Sequence, residues 1–362
     1  MNHRQVSRWP LILRLACALL AKDETQIKHL SGEMRQSDWD AFFVLVLDRH
    51  RIAPNIAEAL ALAAPPENFQ ERFNQAIQRN AMDVLRYVSE TRRIDAALRD
   101  VGIKPTYLKG WLLAEQLFGA PSARQAKDLD LLIPTDARSR AMEVLQGLGY
   151  VADERLPDRF LDASTDVVAK ELNNLSLLHQ EMGLSIEMHW RSHQFSGWPD
   201  VLANPNEHQI FTSSAGAYLV PSDQANLIYL AVHGSLHRWS RLKWLHDIAE
   251  TAGRRDPDLL AQDLEEARRL GVGRALALAL DLSHYVLGAP TEWKPVASPW
   301  LVARCLEEIA SDSAVPTSLG QRMKFYAMTL VLAQGWRQKA GVLRYRVWGK
   351  PRILLASLGK PA

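Results

Sequence analysis

Apolar residues recur every three or four positions over the first hundred residues and again after residue 221, and a different texture separates the two. The recurrent spacing predicts helices, because it gathers apolar side chains on one face of a 3.6-residue repeat. Residues 9–21 (WPLILRLACALLA) form an apolar run that is interrupted by Arg14 and continues into the polar KDETQIKHLSGE. The run is too short to span a bilayer, so we expect a buried helix and not a targeting segment. Residues 37–40 (SDWD) read as a helix start before the apolar AFFVLVL, and Pro65-Pro66 break the chain. From 67 to 100 the positions Phe69, Phe73, Ile77, Met82, Leu85, Val88, Ile94 and Leu98 mark one or two long helices, ended by Val101-Gly102.

From there the pattern shortens. Residues 105–108 (PTYL) predict a strand, Lys109-Gly110 a turn, and WLLAEQLFG a helix closed by Gly119. Residues 129–133 (LDLLI) are apolar around one acid, as suits a central strand, and Pro134 ends them. A helix over 136–148 follows, then a linking stretch to about 173 with room for a short helix. The strands Asn174–His179 and Leu184–His189 are joined by QEMG and read as a hairpin. After Pro221 the helical spacing returns, with Ser222 as an N-cap, and predicts helices near 222–238, 241–254, 256–272, 273–288, 299–310 and 319–339. The fold class expected is α+β and mostly helical. The organisation is an N-terminal helical region (1–101), a small α/β core (102–220), a C-terminal helical region (221–340) and a basic tail (341–362).

Composition adds three constraints. The chain has 362 residues, 47% apolar and 23% charged, which supports a sizeable folded core. Its formal net charge of +2 argues against a dedicated nucleic-acid binder. That total hides an asymmetry, because residues 313–362 contain no Asp or Glu but nine Lys or Arg, and the remainder is net acidic. Such a tail fits RNA, a phosphorylated substrate or an anionic surface, or else the protein's own acidic face. Two cysteines, Cys17 and Cys305, build no disulfide framework and no zinc spacing, so a cytoplasmic location is expected. The eleven tryptophans are expected to fill gaps between helices.

The chemistry concentrates in the middle segment. A strand ending in Lys109-Gly110 at a helix start can cradle phosphate: Gly lets backbone approach a ligand, helix N-terminal amides attract anions, and Lys109 adds a charge. Asp128 and Asp130 lie two apart on the next strand, hence on one face. Two adjacent carboxylates repel unless a cation lies between them, and Mg²⁺ or Mn²⁺ with its oxygen ligands suits that geometry and phosphoryl or nucleotidyl transfer. Glu187, flanked by Ile186 and Met188, is the candidate third acid, as metal ligand or base. His189 shares its face and is placed to contact substrate or orient Glu187. Arg124 precedes the acid pair on the approach loop, placed to bind triphosphate or to hold Asp130.

The turn at Lys109-Gly110, the Arg124-(x)₃-Asp128-x-Asp130 spacing and the run from Ile186 to Arg191 (IEMHWR) together resemble the uncharacterised nucleotidyltransferase family of the polymerase-β-like nucleotidyltransferase superfamily. The resemblance extends to residues 50–54 (HRIAP), to His233 and His237, and to residues 242–248 (LKWLHDI), over about residues 40–285. It implies a mixed sheet with flanking helices, two metal-binding aspartates at Asp128 and Asp130, and a third acid at Glu187. The superfamily has Gly-Gly or Gly-Ser where this chain has Lys109-Gly110.

The function expected is therefore Mg²⁺- or Mn²⁺-dependent transfer of a nucleoside monophosphate from an NTP such as ATP to an acceptor, whether small molecule, protein or RNA. Lys109, Gly110 and Arg124 are the nucleotide-binding candidates. His189, Arg191, His233, Lys243 and Asp247 are the substrate-binding candidates. His233 and His237 share a helix face but have Gly234 where a zinc-protease motif has glutamate, and they, Lys243, Asp247 and His50 serve equally well as helix-packing residues. The alternatives are a non-catalytic nucleotide-binding or scaffold module on the same fold, a toxin-like transferase acting on tRNA, and transfer of a sugar or phosphate at the same metal site.

Overall fold

The structure is a computed structural model that describes residues 5–152, 172–193, 195, 198–312, 319–345 and 347. The short helix allowed for in the linking stretch falls largely on 153–171 and, with most of the tail after 345, lies outside the described residues. The chain folds into two compact units. One is built from residues within Met1–Met82, Leu117–Gln125 and Leu227–Gln334. The other is built from residues within Asp83–Gln116, Ala126–Asn226 and Gly335–Ala362.

The chain opens with α1 (Leu11–Leu20), α2 (Glu24–Gly32) and α3 (Gln36–Val44). In α1 the side chains of Leu13, Leu15, Cys17 and Leu19 are buried, as its apolar pattern requires. Asp23 caps α2 by accepting from the Gln26 amide at 3.0 Å. The start expected at SDWD is α3, where Asp38 accepts from the Arg35 amide at 2.9 Å. A long helix α4 (Glu67–Asp100) of 34 residues follows. Its first turns stack on α3 through Trp39, Phe42, Phe69 and Phe73, with Trp39 and Phe69 rings 5.0 Å apart.

The second half of α4 belongs to the sheet unit. Its buried stripe runs through Val84, Tyr87, Thr91, Ile94 and Leu98. Met82 and Leu85, expected on the apolar face, are 66% and 67% exposed, because the stripe passes through Thr91 and turns them outward. The polar groups on this stripe are satisfied by aromatic donors. Trp111 Nε1 donates to Thr91 Oγ1 at 2.9 Å, Tyr150 Oη to Glu90 at 2.9 Å and Tyr107 Oη to Asp95 at 3.3 Å.

Against this helix lies a mixed sheet with, among the described residues, seven strands. They are β1 (Thr106–Tyr107), β2 (Leu129–Leu132), β3 (Tyr150–Ala152), β4 (Asn174–His179), β5 (Leu184–His189), β6 (His208–Ser213) and β7 (Gly216–Pro221). Helix α5 (Gly110–Phe118) joins β1 to the β2 segment, and α6 (Arg138–Gly147) lies between β2 and β3. The spatial order is β3-β4-β5-β2-β1-β7-β6. β2 pairs parallel with β5 and antiparallel with β1, while β4 and β5 form the expected hairpin. Leu129, Leu131, Ile186 and Met188 point into the core with Trp111 and Leu112. β3, β6 and β7 carry weak sequence signals. β3 has three residues, and β6 is an edge strand with no fully buried position.

The remaining helices are α7 (Asp223–Leu236), α8 (Leu242–Gly253), α9 (Pro257–Arg269), α10 (Gly273–Leu287), α11 (Pro299–Ala310), α12 (Leu319–Leu332) and α13 (Trp336–Arg344). Ser222 Oγ accepts from the Ala225 amide at 3.3 Å, the cap expected there. The single helix expected over 319–339 is two, broken at Ala333-Gln334-Gly335. Among the described residues no helix is long and apolar enough to cross a membrane.

Candidate metal and nucleotide site

The pleat of the sheet assembles the acids. With β2 and β5 parallel and in register, Asp130 stands beside Glu187 and Leu132 beside His189. Residues of even number on β2 and odd number on β5 face away from the core, so Asp130, Glu187 and His189 share one face. Their side chains each offer one ligand atom, all within 4.8 Å of one another. His189 Nε2 lies 3.2 Å from Asp130 Oδ1 and 3.4 Å from Glu187 Oε2. Asn174, on the other neighbour strand, donates from Nδ2 to Glu187 Oε2 at 3.3 Å. Asp130 is 3% exposed, whereas the Glu187 side chain is 32% exposed and is the solvent side of the group.

Lys109 completes the charge balance. Its Nζ lies 2.9 Å from Asp130 Oδ1, with both side chains buried. Burial alone would raise the Asp130 carboxyl, but the Lys109 ammonium and then His189 overcome it and hold the carboxyl well below the usual carboxylate range. Burial pulls the other way on His189, and its hydrogen bonds to Asp130 and Glu187 raise the imidazole above its ordinary value. Asp130 thus faces the Lys109 ammonium and the His189 ring, and Glu187 faces the same ring. His189 Nδ1 is buried with no hydrogen-bond partner among the described residues, so the ring is held from the acid side alone.

The strand-turn-helix expected at 105–118 is present. Gly110 opens α5 at φ +71°, a left-handed conformation that side chains resist. A Cβ there would meet the Asp128 carbonyl oxygen at 3.7 Å, so the turn passes close to the start of β2. Asp128 is half-buried just before β2 and is outside the Asp130–Glu187–His189 group. Tyr87 from α4 underpins this approach by donating to the Lys127 carbonyl at 2.6 Å. Burial raises the Tyr87 hydroxyl, and the Asp128 carboxylate adds to the rise. The candidate group contains His189, which the sequence reading set on the face of Glu187 to contact substrate or orient that acid. The i, i+2 spacing from Glu187 to His189 carried that signal.

The remaining candidates divide by unit. In the sheet unit, Arg191 donates from Nη2 to the Leu172 carbonyl at 2.7 Å and straps the start of β4. In the helical unit, Arg124 engages Asp247 in a bidentate pair, Nε to Oδ1 at 2.9 Å and Nη2 to Oδ2 at 2.8 Å. Both side chains are buried, which turns this guanidinium toward α8 and not toward solvent phosphate. Lys243 donates to the Gln125 carbonyl at 2.7 Å. Two residues of the LKWLHDI segment therefore grip the loop that leads into Asp128, a role that spacing alone does not reveal. His50 Nδ1 accepts from the Leu242 amide at 3.1 Å and starts α8. The rings of His233 and His237 lie tilted at 50° with centroids 4.5 Å apart, and Trp244 lies 4.8 Å from His237.

The mixed sheet thus sets two acids and a histidine, a group that could hold a metal ion, beside a Lys-Gly turn. The family model described as uncharacterised nucleotidyltransferase matches residues 35–288, and the chain belongs to that family. A comparison with curated proteins gave no significant match. Family membership supports a general nucleotidyltransferase role.

Proposed function

We propose that the protein moves a nucleoside monophosphate from an NTP to an acceptor hydroxyl or phosphate, the acceptor oxygen bonding to the α-phosphorus as the bond to the β-phosphate breaks and pyrophosphate leaves, with Mg²⁺ or Mn²⁺ as cofactor. The observation that carries this reading is the register of Asp130 with Glu187, which sets two carboxylates and His189 on one face of the sheet. The donor set fits a divalent cation. Two carboxylate oxygens suit Mg²⁺ or Mn²⁺, and the imidazole nitrogen favours Mn²⁺ over Mg²⁺. Asp130 and Glu187 would hold the ion with His189, and Asp128, just before β2, would supply a further carboxylate nearby. When bound, the cation would neutralise phosphate oxygens and polarise the phosphorus that is attacked.

The chain's own groups do the rest. The backbone amides at the start of α5, opened by Gly110, receive phosphate oxygens, and Lys109 supplies a positive charge beside them. Glu187, the most exposed of the acids, takes the proton of the attacking hydroxyl. His189 and Asn174 fix the orientation of its carboxylate. Arg191 holds the start of β4, and with it Asn174, in place.

The test is incubation of the protein with a small-molecule and protein extract and each NTP, labelled at either the α- or the γ-phosphate, with Mg²⁺ or Mn²⁺. Transfer of the α-label to an acceptor supports the reading. Transfer of the γ-label alone replaces it with phosphoryl transfer. NTP binding without any transfer replaces it with a nucleotide-binding module.

A further inference from the structure

Helix α13 has a buried side and, opposite it, an exposed apolar side. Gln338, Gly341 and Val342 are buried and form its inner side. A helix turns about 100° per residue, so Trp336, Ala340 and Leu343 fall within an arc of about 60° on the opposite side. Those residues are exposed, Trp336 by 75% and Leu343 by 51%, and Val347 just past the helix is exposed by 60%. Scattered single apolar residues on a surface are ordinary, but an aligned Trp, Ala and Leu are an organised face.

Charge flanks that face on both edges. Arg337 and Arg344 lie about 80–100° to one side of Trp336 and Lys339 about 60° to the other, and all three are exposed. The Arg337 guanidinium lies 5.6 Å from the Trp336 ring centroid. The sequence from 313 to 362 contains no acidic residue, and after α13 it continues with Trp348, Lys350, Arg352, Ile353, Leu354, Leu355 and Lys360. An apolar stripe with an aromatic at one end and bases on both edges is the arrangement of a helix lying in a membrane interface. Such bases attract anionic headgroups. A nucleic-acid surface would use the same charges, but beyond the single ring of Trp336 the stripe continues with Ala340, Leu343 and Val347, which offer no second ring for stacking and no group to read a base.

We propose that α13 docks the protein in the interface of an anionic bilayer, with Trp336, Ala340 and Leu343 at the acyl boundary and Arg337, Lys339 and Arg344 at the headgroups. The inference is independent of the reaction carried by the sheet.

The test is co-sedimentation of the full chain with vesicles of phosphatidylcholine alone and of seven parts phosphatidylcholine to three parts phosphatidylglycerol. The bound fraction is expected to be about tenfold higher on the anionic vesicles and to fall with added salt. Trp336→Ser with Leu343→Ser lowers binding to the phosphatidylcholine level, with circular dichroism unchanged because both side chains are exposed. Arg337→Ser with Lys339→Ser removes the preference for the anionic lipid. Brominated lipid quenches tryptophan emission of the unmodified chain more than that of Trp336→Phe. Three results overturn the proposal: no vesicle binding, binding unchanged in the Trp336→Ser, Leu343→Ser chain, or capture of a single-stranded RNA through α13 with no vesicle binding.

Discussion

Asp130 and Glu187 are register partners on adjacent parallel strands, with His189 Nε2 within 3.4 Å of both carboxylates. Neither acid is near the other in sequence, and only the parallel crossover brings them together. If these two carboxylates serve the reaction, each is needed. Asp130→Asn and Glu187→Gln keep shape and remove charge, so each is expected to lower transfer of an α-labelled NTP by about a thousandfold or more. Thermal unfolding reports whether the fold survives. A folded Asp130→Asn protein with full activity sinks the site.

The Arg124–Asp247 pair is buried on both sides and bidentate. Removing one partner strands the other charge away from water. Asp247→Asn is therefore expected to destabilise the protein by about 3–5 kcal/mol, whereas Arg124→Met with Asp247→Leu recovers most of that loss. Urea unfolding of the single and double variants measures the coupling. If the double variant is as unstable as the sum of the singles, the pair is not the origin of the loss.

Stability should also carry a histidine signature. Burial, reinforced by the charges of Arg49 and Arg241, pushes His50 well below 6.5, and its Nδ1 must be unprotonated to accept from Leu242. The folded state thus binds fewer protons than the unfolded state at acid pH. Its stability contribution is present above the unfolded value of about 6.5 and is lost as pH falls below it, with a slope of at most about 1.4 kcal/mol per pH unit. His50→Asn, which keeps an acceptor near Nδ1, should flatten this slope between neutral pH and the acid limb. Identical slopes for the two proteins would show that His50 does not contribute.

Much of this site is legible from local pattern, and the rest depends on long-range pairing. The hairpin Asn174–His179 and Leu184–His189 and the strand at Asp130 stand out because apolar residues surround a few acids. The parallel union of β2 with β5, which brings Asp130 beside Glu187 and His189, has no local signature, whereas the i, i+2 spacing of Glu187 and His189 shows their shared face. Lys243 and Asp247 carry a motif but no visible partner in sequence, since Gln125 and Arg124 lie more than a hundred residues away. The strand β6 escapes detection because an edge strand has little apolar alternation to show, and β7 because its buried positions do not alternate regularly.

Gly110 separates backbone strain from steric fit. Its φ of +71° penalises any side chain, while a Cβ would meet its nearest neighbour at an ordinary 3.7 Å. Gly110→Ala is then expected to cost about 1–2 kcal/mol of stability through strain alone. If the α5 start holds phosphate, the same change also raises KM for NTP by more than it lowers kcat. A stability loss with unchanged KM would confine Gly110 to a structural role.

Metal binding can be tested without turnover. An ion held by Asp130, Glu187 and His189 binds the folded chain and not the unfolded one, so it stabilises by mass action, about 2.7 kcal/mol at a hundredfold excess over Kd. Both Mg²⁺ and Mn²⁺ should raise Tm, and Asp130→Asn should abolish both shifts. The imidazole nitrogen distinguishes the two ions, because nitrogen donors favour Mn²⁺ relative to Mg²⁺. His189→Gln, which replaces the ring by an amide oxygen donor, is expected to reduce the Mn²⁺ shift while the Mg²⁺ shift is largely kept. Equal loss of both would make His189 a positioning residue for Glu187 and not a ligand, and no shift with either ion would remove the metal from this face of the sheet.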